Sequence, residues 1–182
     1  AVRFDFEGYK IYRSTDWEFS NAYNITDGEG NPTFYNPYVL NGETAQWDLV
    51  DGVKGWHPVD LNGVKFYLGD DTGLRHSFTD TEVINGQTYY YAIVAYDFGG
   101  DETNNIIPSD SPMRLRINSL TGELEMGPNV VAVVPREPSA GYEQAQTDSI
   151  VLHTVGSSSG QVSYEVVNPM AILDGRKYEI TF

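Results

Sequence analysis

The sequence predicts an all-β protein of the sandwich type, and three observations carry that expectation. No window of eleven or more residues holds an apolar stripe at helical spacing free of Gly or Pro. Several runs instead alternate in hydropathy and are rich in Tyr, Val, Ile and Thr, which suit a pleated, half-buried surface. Turn chemistry separates them: the 182 residues include 18 Gly and 9 Pro, with Asn-Gly pairs at Asn41-Gly42, Asn62-Gly63 and Asn85-Gly86.

Residues 9–13 (YKIYR) put Tyr9 and Ile11 on one side and Lys10 and Tyr12 on the other. Residues 15–63 form a long irregular stretch. A structureless loop of that length does not suit a compact domain, so its aromatics, among them Trp17, Phe19, Trp47 and Trp56, are expected to pack down as an insertion. Residues 64–68 and 76–79 read as short strands. Residues 88–96 (TYYYAIVAY) are the strongest segment, with Tyr89, Tyr91, Ile93 and Ala95 on one face and Tyr90, Ala92, Val94 and Tyr96 on the other. Residues 113–117 alternate apolar with Arg114 and Arg116. Further strands are expected at 129–134, 149–155, 161–167 and 177–182. The composition shifts after Pro128, where Trp disappears, so a boundary is expected near Leu120. Residues 1–119 then make one domain with its insertion at 15–63, residues 120–128 a hairpin-like linker, and residues 129–182 a second, truncated β-rich domain of immunoglobulin-like type.

Charge narrows the function classes. With 26 acidic and 11 basic side chains the formal charge is −15, which repels nucleic-acid backbones and anionic membranes. No apolar run approaches 18 residues, so no membrane insertion is expected. Cysteine is absent, which removes disulfides, thiol catalysis and thiolate metal sites.

The stretch Gly8-Tyr9-Lys10-Ile11-Tyr12-Arg13-Ser14 resembles strand C of fibronectin type III-like domains, and residues 78–97 resemble their E–F region. Such domains occur in large secreted and surface proteins of bacteria, and the phrases at 26–34 and 68–74 resemble those of Bacteroidetes secreted proteins. The resemblance implies a tyrosine corner, assigned to Tyr89, a core filled by Tyr91, Ile93 and Ala95 beside Tyr9 and Ile11, and a strand G over residues 108–117. It also implies that strands A and B are missing and that the chain is cut at both ends. An incomplete sandwich leaves strand edges and a core face to be completed by strand addition from a neighbour.

The chemistry-bearing residues are few. His57, His76 and His153 lack partners at metal-ligand spacing, and Gly156-Ser157-Ser158-Ser159-Gly160 joins two strands rather than the strand and helix a nucleophile elbow needs. Asp27, Glu29 and Asn31 place oxygens at alternate positions, as a calcium loop does, and Asp70-Asp71 and Asp97 with Asp101-Glu102 form other oxygen-rich corners; solvated turn carboxylates give the same pattern. Trp17, Trp47 and Trp56 suit either a glycan or partner platform or the covering of the sandwich flank. Asn24-Ile25-Thr26 is an N-glycosylation sequon, and Asp148-Ser149-Ile150 resembles an O-glycosylation signal. The expectation is a non-catalytic extracellular or cell-surface module for structure or adhesion, a fragment or subunit of a surface protein or filament assembled by β-strand complementation. It needs no cofactor apart from calcium at those carboxylates. Its partners are neighbouring domains or identical subunits. The alternative is a carbohydrate-binding accessory module of a secreted enzyme, with polysaccharide as partner and calcium as stabiliser.

Overall fold

The computed structural model describes residues 5–22, 25–100, 106–141, 155–157, 164, 166, 168, 171–173 and 175–180. The chain divides into two compact units, Ala1–Arg136 and Glu137–Phe182. Apart from Val155, Tyr164 and Val166, the expected strands at 149–155 and 161–167 lie outside the described residues, as do His153, Asn24, Ser149, Asp101, Glu102 and most of the 156–160 loop. Residues 177–180 carry no strand.

The first unit is all-β and built from antiparallel pairs, a pattern consistent with the sandwich class. Its centre is a four-stranded sheet of β1 (Phe6–Ser14), β6 (Gln46–Asp48), β9 (Tyr89–Asp97) and β12 (Val130–Val133), in the order β12-β9-β1-β6. β1 and β9 run side by side with Tyr9 opposite Ala95, Ile11 opposite Ile93 and Tyr12 opposite Ala92. The register interrupts between Phe6 and Gly8, and Gly8 lies so close to the Trp47 carbonyl and the Tyr96 ring that no Cβ fits there.

The expected insertion at 15–63 is not a single inserted body: Gln46–Asp48 within it is β6 of the central sheet, and the residues around β6 form small hairpins. β2 (Ile25–Thr26) pairs with β3 (Pro32–Phe34), and β4 (Val39–Leu40) with β5 (Glu43–Thr44). β7 (Trp56–Leu61) then pairs with β8 (Val64–Tyr67). Asn41-Gly42 and Asn62-Gly63 close two of these hairpins with φ of 52° and 84° at each pair, the left-handed geometry that Asn-Gly favours. Phe19 and Ala22 from the insertion pack with Tyr12, Ala92, Val94 and Val130. Phe66 and Leu68 pack with Tyr96.

Four expectations need correction. Residues 76–79 form no strand. On β9 the fully buried residues are Ala92, Val94 and Tyr96, while Tyr91 and Ala95 are half-buried and Ile93 is 53% exposed. Both alternating sets of this segment are apolar, so its period of two cannot say which face is covered; the insertion covers the Lys10–Tyr12–Val94 face. Residues 120–128 are not a linker: β10 (Leu115–Ile117) and β11 (Leu124–Met126) make a hairpin whose base is closed by Gly127 N–H donating to the Arg114 carbonyl at 2.7 Å. The chain then returns to the same sheet as β12, so the boundary falls after Arg136 rather than near Leu120. The expected single strand over 108–117 is accordingly split. Ser109–Ser111 flanks the end of β9 through Ser111 N–H to the Ala95 carbonyl (2.7 Å), and β12 flanks its beginning.

Candidate functional site

The two faces of the four-stranded sheet differ in cover. The Lys10–Tyr12 face is sealed and carries a polar network. Lys10 is 4% exposed, its ammonium 3.6 Å from the Phe66 ring centre and 3.3 Å from Asp110 Oδ1. Burial pushes its ammonium down to about 8, against the pull of Asp110. The Tyr12 hydroxyl donates to Asp110 at 2.5 Å, and burial raises its ionisation above the ordinary tyrosine range.

The opposite face is only half covered. Ile11, Ala45 and Trp47 form a cluster there with Tyr38, Phe78 and Tyr91. Beside it Asp80, which accepts from Arg13 (2.7 Å), Tyr91 (2.6 Å) and Tyr38 (3.1 Å), ties the 80s loop to β1 and β9. The Tyr89 hydroxyl accepts the Ile84 N–H at 3.0 Å. Toward β12 the cover ends. Ile93 is 53% exposed, Val131 50% and Val133 41%, and the register sets Val131 opposite Tyr91 and Val133 opposite Tyr89, on this same face. β12 is also the last strand of the sheet.

A groove lies over the insertion. A cleft of about 580 Å³ is lined by Phe34, Tyr35, Trp56, Phe66 and Tyr67, with Lys10, Asn36, Thr44, Gln46 and Lys65 among its polar groups. A second cleft of about 370 Å³ shares Thr44, Gln46 and Tyr67 with it and adds Glu43, Asp70 and Arg75. Trp56 is 65% exposed and meets Tyr67 edge-on at 5.0 Å. Trp47 is buried in the Ile11 cluster and Trp17 is half-buried, so the three tryptophans form no single platform.

The carboxylates expected to bind calcium do not converge. Asp27 accepts from Glu29 N–H (2.9 Å), Asn31 N–H (2.8 Å) and the Asn31 amide (3.0 Å), which closes its own turn and lowers its ionisation. Asp70 accepts from the Tyr67 hydroxyl at 2.5 Å. Asp71 pairs with Lys54 at 2.8 Å and is lowered by it. Asp97 holds Gly99 N–H and Ser109. His57 is buried between the Gly100 carbonyl (2.7 Å) and Val59, and His76 is exposed. Among the described residues no group of three or more acidic or histidine side chains is already gathered as a metal site, and no helix is long and apolar enough to cross a membrane.

Sequence reasoning missed Glu7. It is 0% exposed and both carboxyl oxygens lack a hydrogen-bond partner. Burial first, then the negative charges of Asp51, Asp48 and Asp71, raise it from 4.5 to about 7. Nothing local marks it: an acid at the start of an alternating run looks like an outward residue. Only its neighbour Gly8, where the register interrupts, hints at an unusual backbone.

The chain matches no protein-family model, no curated protein and no solved structure.

Proposed function

We propose that the chain is a non-catalytic structural or adhesion module of a secreted or cell-surface protein, joined to its neighbours through the open half of the four-stranded sheet. The observation that carries this reading is the row Ile93, Val131 and Val133, three exposed apolar side chains on one face beside the terminal strand β12. Such a face is costly in water and is stabilised when strands of a neighbour lie over it or extend its edge. The resemblance to fibronectin type III-like domains supports the same reading. In that reading the order β1-β9-β12 would be C-F-G, the Tyr89–Ile84 bond would be the tyrosine corner, and the second sheet would lie on the face of Ile11, Tyr91 and Ile93. Asp27 and Asp71, two of the conspicuous acids, are engaged in a turn and an ion pair, which fits a structural role for them.

Sedimentation velocity and negative-stain microscopy of the full chain over a range of concentrations test this. The expected result is ordered association that Val131→Asp and Ile93→Asp abolish while the β spectrum persists. A monodisperse monomer at every concentration overturns completion by a second copy.

A second reading, a carbohydrate-binding accessory module, is favoured by the groove at Trp56. A flat exposed ring beside amide, hydroxyl and carboxylate groups suits a neutral pyranose face and its hydroxyls. A polysaccharide pull-down in which Trp56→Ala loses binding would support it; no retention on any neutral polysaccharide removes it.

A further inference from the structure

Lys10 is the buried lysine among the described residues, and its nitrogen is held against a carboxyl group. Lys10 lies on β1, while Asp110 bridges to Tyr96 from the other side of β9, so the two side chains meet across that strand on the sealed face. They are 5% and 18% exposed, with Nζ 3.3 Å from Oδ1. In the other described ion pairs the cation is either a guanidinium, as at Arg13, or largely in solvent, as at Lys54. Aromatic rings enclose the Lys10 nitrogen, with the Phe66 centre at 3.6 Å and that of Tyr96 at 4.6 Å. The second carboxyl oxygen, Oδ2, accepts from the Tyr12 hydroxyl at 2.5 Å. An ammonium carries three N–H groups, and the described acceptor here is Asp110 Oδ1 alone. Two ions taken out of water and so sparsely hydrogen-bonded are costly to keep charged.

We propose that Lys10 and Asp110 condense into an intramolecular amide, Nζ bonded to Cγ, with the loss of one water. The atoms balance without a co-reactant. The ammonium passes one proton to Oδ1, and burial, which brings it down to about 8, eases that transfer. The freed nitrogen pair then attacks Cγ, one bond beyond the Oδ1 contact. The charge that develops on Oδ2 is met by the Tyr12 hydroxyl already donating to it. Oδ1 takes a second proton from the nitrogen and leaves as water, and Oδ2 remains as the amide carbonyl. Fixing amine and carboxyl side by side is equivalent to a concentration of ~10⁵–10⁸ M, which favours closure. The product replaces two buried charges by a neutral amide, and the rings that exclude water oppose its hydrolysis. The cleft that reaches Lys10 gives the released water a way out. The bond would tie β1 to the segment beyond β9, 100 residues away in the chain. It belongs to the sealed face, so it stands or falls apart from the function proposed above.

Intact-mass measurement of the full chain in denaturant, followed by tryptic mapping, tests the proposal. Wild type is expected to weigh one water less than its sequence. Trypsin should fail to cut after Lys10 and should release residues 4–13 joined to residues 76–114, with fragmentation placing the branch at Lys10 and Asp110. Lys10→Met and Asp110→Ala should each show the full sequence mass. Tyr12→Phe should close at least tenfold more slowly after refolding, and closure as fast as wild type would remove Tyr12 from the step. Wild type at its full sequence mass after prolonged incubation at neutral pH overturns the proposal and leaves a buried ion pair. A water loss that maps to Asp27-Gly28 or Asp51-Gly52, where a cyclic imide forms with the same mass change, or one that persists in Asp110→Ala, overturns it as well.

Discussion

The two faces of one sheet obey different rules in this molecule. The face of Lys10, Tyr12, Ala92 and Val94 is sealed by Phe19 and Ala22 from the segment after β1, and it tolerates a buried ammonium because Asp110 and two aromatic rings answer it. The face of Ile11, Tyr91 and Ile93 is sealed only over β1 and β6, and toward β12 its valines stand in water. The same alternating strand, β9, supplies both. Cover, rather than strand pattern, therefore decides which side chains hold the fold and which remain available to a neighbour.

The largest way to sharpen that contrast is Phe19→Ala. Phe19 is 0% exposed on the sealed face, and its loss is expected to cost ~3–5 kcal/mol in denaturant unfolding. Next comes pH. The folded chain holds the Glu7 proton more tightly than the unfolded chain does, about 7 against 4.5, so this group favours the fold most below pH 4.5. The contribution of Glu7 to stability should fall as pH rises from 4.5 to 7 and then level; Glu7→Gln should remove that part of the profile in denaturant unfolding. Tyr89→Phe removes the bond to Ile84 N–H and should cost ~1 kcal/mol, read as a lower denaturant midpoint with unchanged slope. Ile93→Ser, on the open face, should change monomer stability by no more than ~0.5 kcal/mol. A loss there as large as at Phe19 would erase the distinction between the faces.

Much of the strand pattern was legible in the sequence, because alternation and turn chemistry are local. β1, β8, β9 and β12 stand where the hydropathy runs place them, and two Asn-Gly pairs close hairpins. What escaped depends on contacts distant in sequence. The buried side of β9 is set by Phe19 and Ala22, about 70 residues earlier. The hairpin between the two halves of the last edge is fixed by Gly127 on Arg114 and by the Asn129 amide on the Ile93 carbonyl at 3.1 Å, so a compositional change at 120–128 resembled a linker. The setting of Glu7 escaped for the same reason: Glu7, Asp48 and Asp71 are far apart in the chain, whereas Asp27, Glu29 and Asn31, adjacent and conspicuous, satisfy one another.

The exposed valines of β12 also bear on how the molecule behaves in bulk. They sit on a body carrying −15, so two copies repel before an ångström-range contact can form. Ionic strength then becomes a throttle on their meeting: at physiological salt the repulsion fades over ~8 Å, and in dilute buffer it reaches several times farther. A suspension kept clear by its own charge in low salt should thicken as electrolyte is added, and a basic surface should be admitted to the β12 strip where an identical acidic one is turned away.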